Sequence, residues 1–559
     1  MPVRLVRPTR VLISTCVLAA AAGLGGCVKN PPVYGSTPVA MPAVPPLPAE
    51  PEAMTLAWVR AQETLRMLER LGVENPAGAA TAAGVDVSVI DPKRPFVVLA
   101  GAPQGEGVEG VPVLAWLPVP PESGLAMFAA GAARDGVSPV AGGVALSITG
   151  TAAPGSGSRP LLDRLVAGAM SADVEVFVQV EAIVKHWKAA VEQGFAALDG
   201  VMSTPLANGQ PAMNTAMARA YRDWLRKLLD VQGTMLLGFG VGEQDLTGYT
   251  VTAGPAATVQ PWPASVASMP DLGGFVPPGD FRLEWRLQPG SPMLEFSLGL
   301  YEQVLADHPA ELARMKAAFR TWMDVPMQMA MSMSVDPEAL YRGLAVSHSP
   351  NADAQYKAAI DLARLLGEPV VRQALGQGGV AMTATVNENA REIEGRPVLR
   401  VSYAIESGLD PAVAASSPRL AKLSKMSITM EMVQLGEYLV YGLNAPEGAL
   451  ERTAEDLLAG ARRHPSLTAR EREPAGGDLY LDVDLPAMLR HVRALVPEEA
   501  RGQFPAFDAP WPLVTSFGLS TPTRGYYRTT VPRAVVTGLT QALRAAAHGD
   551  HPLAPTPSP

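Results

Sequence analysis

At 559 residues the chain is too long for one ordinary domain, and 48% apolar against 18% charged residues excludes a globally disordered polymer. A net charge of −9 at pH 7 argues against a nucleic-acid partner, because an acidic surface repels phosphates. Cys16 and Cys27 are the only cysteines, both near the start, so neither a disulfide framework nor a Cys-based metal site is expected in the body.

Arg4, Arg7 and Arg10 open the chain without an acidic neighbour, and an apolar run from Val11 to Leu24 follows. About fourteen residues are too few to span a bilayer and suit a secretory h-region. The run ends in Leu24-Gly25-Gly26-Cys27. Basic start, short apolar run and LGGC together resemble the signal peptide and lipobox of bacterial lipoproteins. The resemblance covers the first 27 residues. It implies that a signal peptidase reads Leu24, Gly25 and Gly26 and cuts before Cys27, whose thiol carries a diacylglyceryl group. It further implies a cell-envelope protein held to the membrane through its N-terminal lipid. Val28, rather than Asp, implies outer-membrane delivery by the sorting rule of enteric lipoproteins. A plain secreted protein and an uncleaved anchor are the alternatives.

Residues 28–52 contain eight prolines and read as a polyproline-like tether. Extended at about 3.1 Å per residue, it reaches roughly 75 Å. Met54 to Leu71 has an approximate 3.6-residue apolar period and reads as a helix. Residues 94–119 read as a hairpin, 123–134 as a helix, 138–150 as extended and 159–170 as a helix. A strand over 174–180 runs into a helix over 181–198, another helix is expected over 212–232, and strands over 234–241 and 247–253. The Pro- and Gly-rich stretch 255–278 reads as a loop or boundary. Further on, strands are expected at 281–287, 327–335, 379–386, 396–405, 425–433, 437–443, 513–519 and 525–531. Helices are expected at 294–306, 309–322, 336–344, 354–366, 447–463 and 533–547. The segment 477–496 reads as a strand running into a helix.

An internal repeat organises this order. Glu109–Leu114 matches Glu394–Leu399, Leu165–Gly168 matches Leu457–Gly460, and Asp173–Val191 matches Asp478–Val496 with His186 aligned on His491. Phe239-Gly240 and Gly248-Tyr249 match Phe517-Gly518 and Gly525-Tyr526. The expected fold class is therefore α+β: two related units, each a mostly antiparallel sheet with helices packed on one face. The division is 1–26 signal peptide, 27–52 lipidated cysteine and tether, 53–305 first unit, 306–547 second unit and 548–559 disordered tail.

Gly105 to Gly110 fits GxGxxG, but a strand follows where a dinucleotide loop needs a helix, so it reads as a hairpin turn and no cofactor is expected. No GxSxG, SxxK, HExxH or P-loop pattern occurs. His186 and His491 read as half-buried rings bonded to nearby carbonyls, and Asp482 and Asp484 as part of a solvated sheet face. Met327, Met329, Met331 and Met333 alternate with Gln328, Ala330, Ser332 and Ser334, so four thioethers share one strand face; a second such strand carries Met426, Ile428, Met430 and Met432. Three readings compete: a Met-rich core face, an apolar-ligand pocket, and a soft-metal site. The first is preferred and no metal is assigned. The resulting expectation is a non-catalytic binding or scaffold module with an envelope protein as partner. A carrier of lipids or other apolar ligands, and a hydrolase with a site assembled from distant residues, are the alternatives. Oligomeric state is not legible.

Overall fold

The computed structural model describes residues 38–41, 43–45, 55–62, 94–101, 113–119, 137–140, 143–149, 158–167, 170–203, 233–255, 261–287, 301–325, 327–336, 339–376, 380–407, 425–495, 511–521 and 523–548, with a few single positions between them. The first half contains β1 (Pro38–Ala40), β2 (Thr55–Ala61), β3 (Phe96–Gly101), β4 (Val113–Leu117), β5 (Val137–Val140), β6 (Gly143–Thr149), α1 (Ser158–Ala167), β7 (Val174–Val178), α2 (Val180–His186), α3 (Lys188–Ser203), β8 (Thr234–Val241), β9 (Asp245–Ala253) and β10 (Ser265–Ala267). A single 3₁₀ turn, Gly273–Phe275, leads into the second half. There follow β11 (Phe281–Leu287), α4 (Pro309–Met323), β12 (Met327–Asp336), β13 (Leu340–His348), α5 (Ala352–Gly367), α6 (Pro369–Gly376), β14 (Val380–Ile393), β15 (Arg396–Ser407), β16 (Lys425–Leu435), β17 (Tyr438–Leu443), α7 (Ala449–Ala459), α8 (Thr468–Arg472), β18 (Leu479–Val483), α9 (Leu485–Leu495), β19 (Val514–Thr521), β20 (Arg524–Pro532) and α10 (Arg533–His548).

Among the described residues eighteen strands join in one sheet. Its order is β14-β15-β16-β17-β13-β12-β11-β18-β19-β20-β9-β8-β7-β2-β3-β4-β6-β5, and every neighbouring pair is antiparallel. The mixed class with antiparallel pairing thus agrees with the sequence reading. β1 and β10 form a separate two-stranded ribbon.

The alternation of side chains divides the core by sheet face. One face carries the four methionines of β12, with Ala345, Leu439, Tyr441, Met426, Ile428, Met430, Met432, Leu399 and Val401, packed under Met315 and Phe319 of α4, Tyr356, Leu362 and Leu366 of α5, and Val371 of α6. The opposite face carries Ala330, Leu344, Val346, Tyr438, Val440, Val433 and Val398, covered by Leu450, Ala454 and Leu457 of α7 and by Leu272, Phe275 and Val276. Helices therefore cover both faces in this half, where one face was expected. The reason is that β17 is apolar at odd and even positions alike, and Ala330 of β12 with Leu344 and Val346 of β13 are buried opposite the methionine face; strands of that kind need cover on both sides.

Several expectations change. Residues 55–61 are a strand, not part of a helix over 54–71, because pairing with β3 on one side and β7 on the other outweighs a weak 3.6 period. Residues 340–348 are a strand, not the end of a helix, since β13 bridges β12 and β17. The strand expected at 379–386 continues to Ile393 as β14, and the turn before β15 is only Glu394-Gly395, both with positive φ of 50° and 68°, as a two-residue type I′ hairpin requires. The helix over 181–198 breaks into α2 and α3 at Trp187. The linker between β9 and β11, expected over 255–278 as a loop, contains β10 and the 3₁₀ turn and is buried at Met269, Leu272, Phe275 and Val276. Helix α6 has no counterpart in the sequence reading. The signal peptide with Leu24, Gly25, Gly26 and Cys27, the Gly105–Gly110 loop, the helix over 123–134, most of 212–232 and the tail lie outside the described residues.

Candidate functional site: a polar rung beneath the linker

Directly opposed residues in an antiparallel sheet point to the same face. Following the register across sixteen strands gives one row on the linker side: Val398, Val433, Val440, Val346, Ala330, Glu284, Tyr480, Phe517, Arg528, Tyr249, Gly238, Glu175, Arg60, Val97, Trp116 and Ala145. Both ends of the row are apolar. The middle, from Glu284 to Arg60, holds two tyrosines and four ionisable charges, of which Glu284, Glu175 and Arg60 are buried and Arg528 is half-buried.

On one side of the centre, Arg60 donates through Nε to Glu175 Oε2 at 2.7 Å and through Nη1 to the Leu165 carbonyl at 3.1 Å. The other oxygen, Glu175 Oε1, accepts from the Ser171 N–H at 2.7 Å and from the Tyr249 hydroxyl at 3.0 Å. Tyr249 reaches Glu175 by lying across Gly238: a Cβ there would sit 2.1 Å from the ring. Burial, then the adjacent Glu175 carboxylate, hold the Tyr249 hydroxyl well above the usual phenol range. Two residues along, Trp58 stacks on Phe177 at 5.6 Å between centroids.

On the other side, Glu284 is 1% exposed. Arg470 Nη1 donates to its Oε2 at 2.7 Å, and the Gly273 N–H to its Oε1. Arg470 also donates to the Met269 carbonyl and lies 5.3 Å over the Tyr480 ring. Glycine is required at 273 because a Cβ would fall 2.4 Å from Glu284 Oε1 and 2.5 Å from Leu467. Burial pushes the Glu284 carboxyl up to about 7; Arg470 and the Gly273 N–H oppose the rise, and Asp271 adds to it. Arg282, two residues back, donates to the Gly273 and Pro465 carbonyls at 2.9 and 2.7 Å. It faces Asp482 across the strands, and burial lowers the Arg282 guanidinium below its usual range. Asp482 in turn accepts from the Thr468 and Ala469 N–H groups at 2.6 and 2.8 Å, capping α8.

Asp482 is thus 3% exposed and not on a solvated face. Asp484 leaves the strand and caps α9 through the Ala487 N–H at 2.9 Å. The two carboxylates point to separate tasks and do not form a pair. His491 Nδ1 lies 2.6 Å from Asp280 Oδ2, a carboxylate rather than the expected carbonyl, whereas His186 is exposed. The two histidines therefore do not share an environment. Met327, Met329, Met331 and Met333 are all buried in the core under α4, α5 and α6. Gln328 and Ser334 of the alternate set are half-buried, but Ala330 and Ser332 are buried too, so that face is not wet. Among the described residues no group of three or more His, Cys, Asp or Glu side chains is placed to hold a metal ion. No described helix is long and apolar enough to cross a membrane, which says nothing of strands.

Sequence reasoning passed over Arg60, Glu175, Glu284, Arg470 and Tyr480. The available signal was a charge at an alternate position of an apolar strand, as in VEVFV or TLAWVRA. FRLEWRL, by contrast, reads as a half-solvated strand, because nothing local shows the linker that covers it.

Compared with known protein families, with curated proteins and with solved structures, the chain matches none of them.

Proposed function

We propose that the chain is a lipid-anchored cell-envelope protein, of the outer membrane, whose body is a non-catalytic binding or scaffold module made of two related units joined edge to edge. The observation that carries the reading is the strand order about the Tyr249–Arg528 pair. Outward from it run β9, β8, β7, β2, β3, β4, β6 and β5 on one side, and β20, β19, β18, β11, β12, β13, β17 and β16 on the other. Each strand has a partner of the same rank in chain order, as an isologous contact between two like units gives. Fine detail supports the pairing. The Gln62 N–H donates to the Asp173 carbonyl at 2.9 Å, and the Arg286 N–H to the Asp478 carbonyl at 2.7 Å. The Val241 and Ser520 N–H groups donate to the carboxylates of the same two aspartates at 2.5 and 2.8 Å.

On this reading the second unit begins at β11 rather than at 306. The β3–β4 hairpin corresponds to β12–β13, so β14–β15 is an addition, and the match of Glu109–Leu114 to Glu394–Leu399 falls outside the pairing. Phe239 corresponds to Gly518, one residue off the sequence match. Two like units joined edge to edge would offer a partner one continuous sheet, which suits holding a partner more than turning over a substrate. The methionine face is filled by side chains of α4, α5 and α6, which favours a packed core over the carrier alternative.

The test has two parts. Membrane fractionation of Cys27→Ala should show the protein released. Native-mass measurement of the detergent-extracted parent should show a complex larger than the 58.7 kDa chain, with a defined stoichiometry. A parent that stays monomeric in envelope extracts and turns over a generic ester or glycan substrate would reverse the reading.

A further inference from the structure

β9 ends at Ala253 at the centre of the sheet and β11 begins at Phe281 beyond β20, β19 and β18, and the linker between them, described over 261–280, lies over the face that carries Glu284 and Tyr480. Its buried side chains sit in two cores, Met269 in one and Leu272, Phe275 and Val276 in the other. Its backbone is held from below at four carbonyls and one N–H: Ala267 by Arg286 at 3.0 Å, Met269 by Arg470, Gly273 by Arg282, Gly274 by the His464 N–H at 3.1 Å, and the Gly273 N–H by Glu284. On its other side the linker receives the N-terminal segment. β1 pairs with β10, the Met41 N–H donates to the Ala264 carbonyl at 3.1 Å, and Met41 and Val44 pack on the core beside Trp262 and Val266. The tether expected over 27–52 is therefore docked at residues 38–41 and at Val44.

We propose that the linker is a pH-sensitive clasp, closed by Glu284 and Arg470, that carries the N-terminal segment with it when it loosens. The groups facing Glu284 are Arg470 from α8, Asp271 from the linker, Tyr480 opposite on β18 and Arg282 on its own strand. Asp482 and His464 lie one contact further out, beside Arg282, and β12 contributes only Ala330 and Ser332. With the linker seated, Glu284 is 1% exposed, and among the described residues its charged donor is Arg470, which it shares with the Met269 carbonyl. Lifting the linker takes away the Gly273 N–H and hydrates the carboxylate.

The sign follows from proton binding. The seated state holds the Glu284 proton up to about pH 7, whereas a hydrated carboxyl loses it near 4.5. Protons therefore favour the seated state, and its advantage falls as pH rises between those values. Between pH 5 and 8 the ratio of seated to lifted linker should drop by up to about 10²-fold. The clasp closes in acid and loosens above neutrality.

Hydrogen exchange of the full chain at pH 5 and pH 8, corrected for intrinsic exchange, tests it on residues 38–45 and 264–276. Expected is a loss of protection at pH 8 in both segments together, about tenfold or more, and a much flatter response in Glu284→Gln. Arg470→Gln is a second arm, usable should Glu284→Gln fail to fold. Removing the cation should move the change to higher pH, whereas an arginine of merely structural importance would lower protection equally at both. Unchanged protection in the parent, a response in Glu284→Gln as large as the parent's, or a 38–45 segment that stays protected while the linker opens would each overturn the proposal.

Discussion

Truncation of Met329 is the sharpest test of how the methionine face is used. Met329 is 2% exposed, opposed by Trp285 on β11 and Ser347 on β13, and lies in the core under α4 and α5. Met329→Ala removes three heavy atoms. At about 0.8 kcal/mol per buried methylene-sized group the transfer term is about 2 kcal/mol. A second term comes from the cavity, at about 24 cal/mol per Å³ left unfilled. Its neighbours are held on both sides by strand pairing, so little collapse is expected and the total should approach 3–4 kcal/mol. Met333→Ala, at 9% exposure and next to the half-buried end of β12, should cost less. Urea melts followed by near-ultraviolet dichroism measure both, and an unchanged slope would mark the shift as one of native stability. A cost below about 1 kcal/mol for Met329→Ala would refute a tightly packed face and restore the ligand-pocket reading. Stabilisation of the parent by Cu(I), absent in the variant, would instead restore the soft-metal reading.

Three further outcomes are expected. On the proposed lipid anchoring, Cys27→Ala should leave the thermal midpoint of the body unchanged while moving the protein out of the membrane fraction; calorimetry beside fractionation checks both. Arg60→Met leaves Glu175 as a buried charge without its cation and should cost about 3–5 kcal/mol, whereas Arg60→Met with Glu175→Leu should recover much of it; denaturant melts of the cycle decide, and equal costs would show that the ion pair is not the relevant interaction. Gly238→Ala should displace the Tyr249 ring and its bond to Glu175, costing about 1–3 kcal/mol, while the same change at Gly240, where a Cβ meets nothing closer than 3.9 Å, should stay within about 1 kcal/mol.

Local pattern determined much of this protein. The period of two in VEVFV, MQMAMSMSV and LYLDV specified strands, and LPAMLRHVRAL specified a helix, because each can be satisfied by its own alternation of apolar and polar positions. The same alternation placed the four methionines on one face before any fold was known. The order of elements around His186 and His491 also suggested the repeat proposed above. What the pattern could not show is where a second layer lies. Asp482 and Glu284 look solvated in their strands, and only α8 and the linker, joined to them through tertiary contacts, remove the water and turn them into a helix cap and a clasp. Residues 55–61 fit either period, and pairing with β3 and β7 decided between them. Likewise the tether's far end is proline-rich by composition, but its dock on residues 264–267 depends on a strand edge more than two hundred residues away. Periodicity is a property of neighbours along the chain; burial, and the charge states it imposes, is a property of neighbours in space.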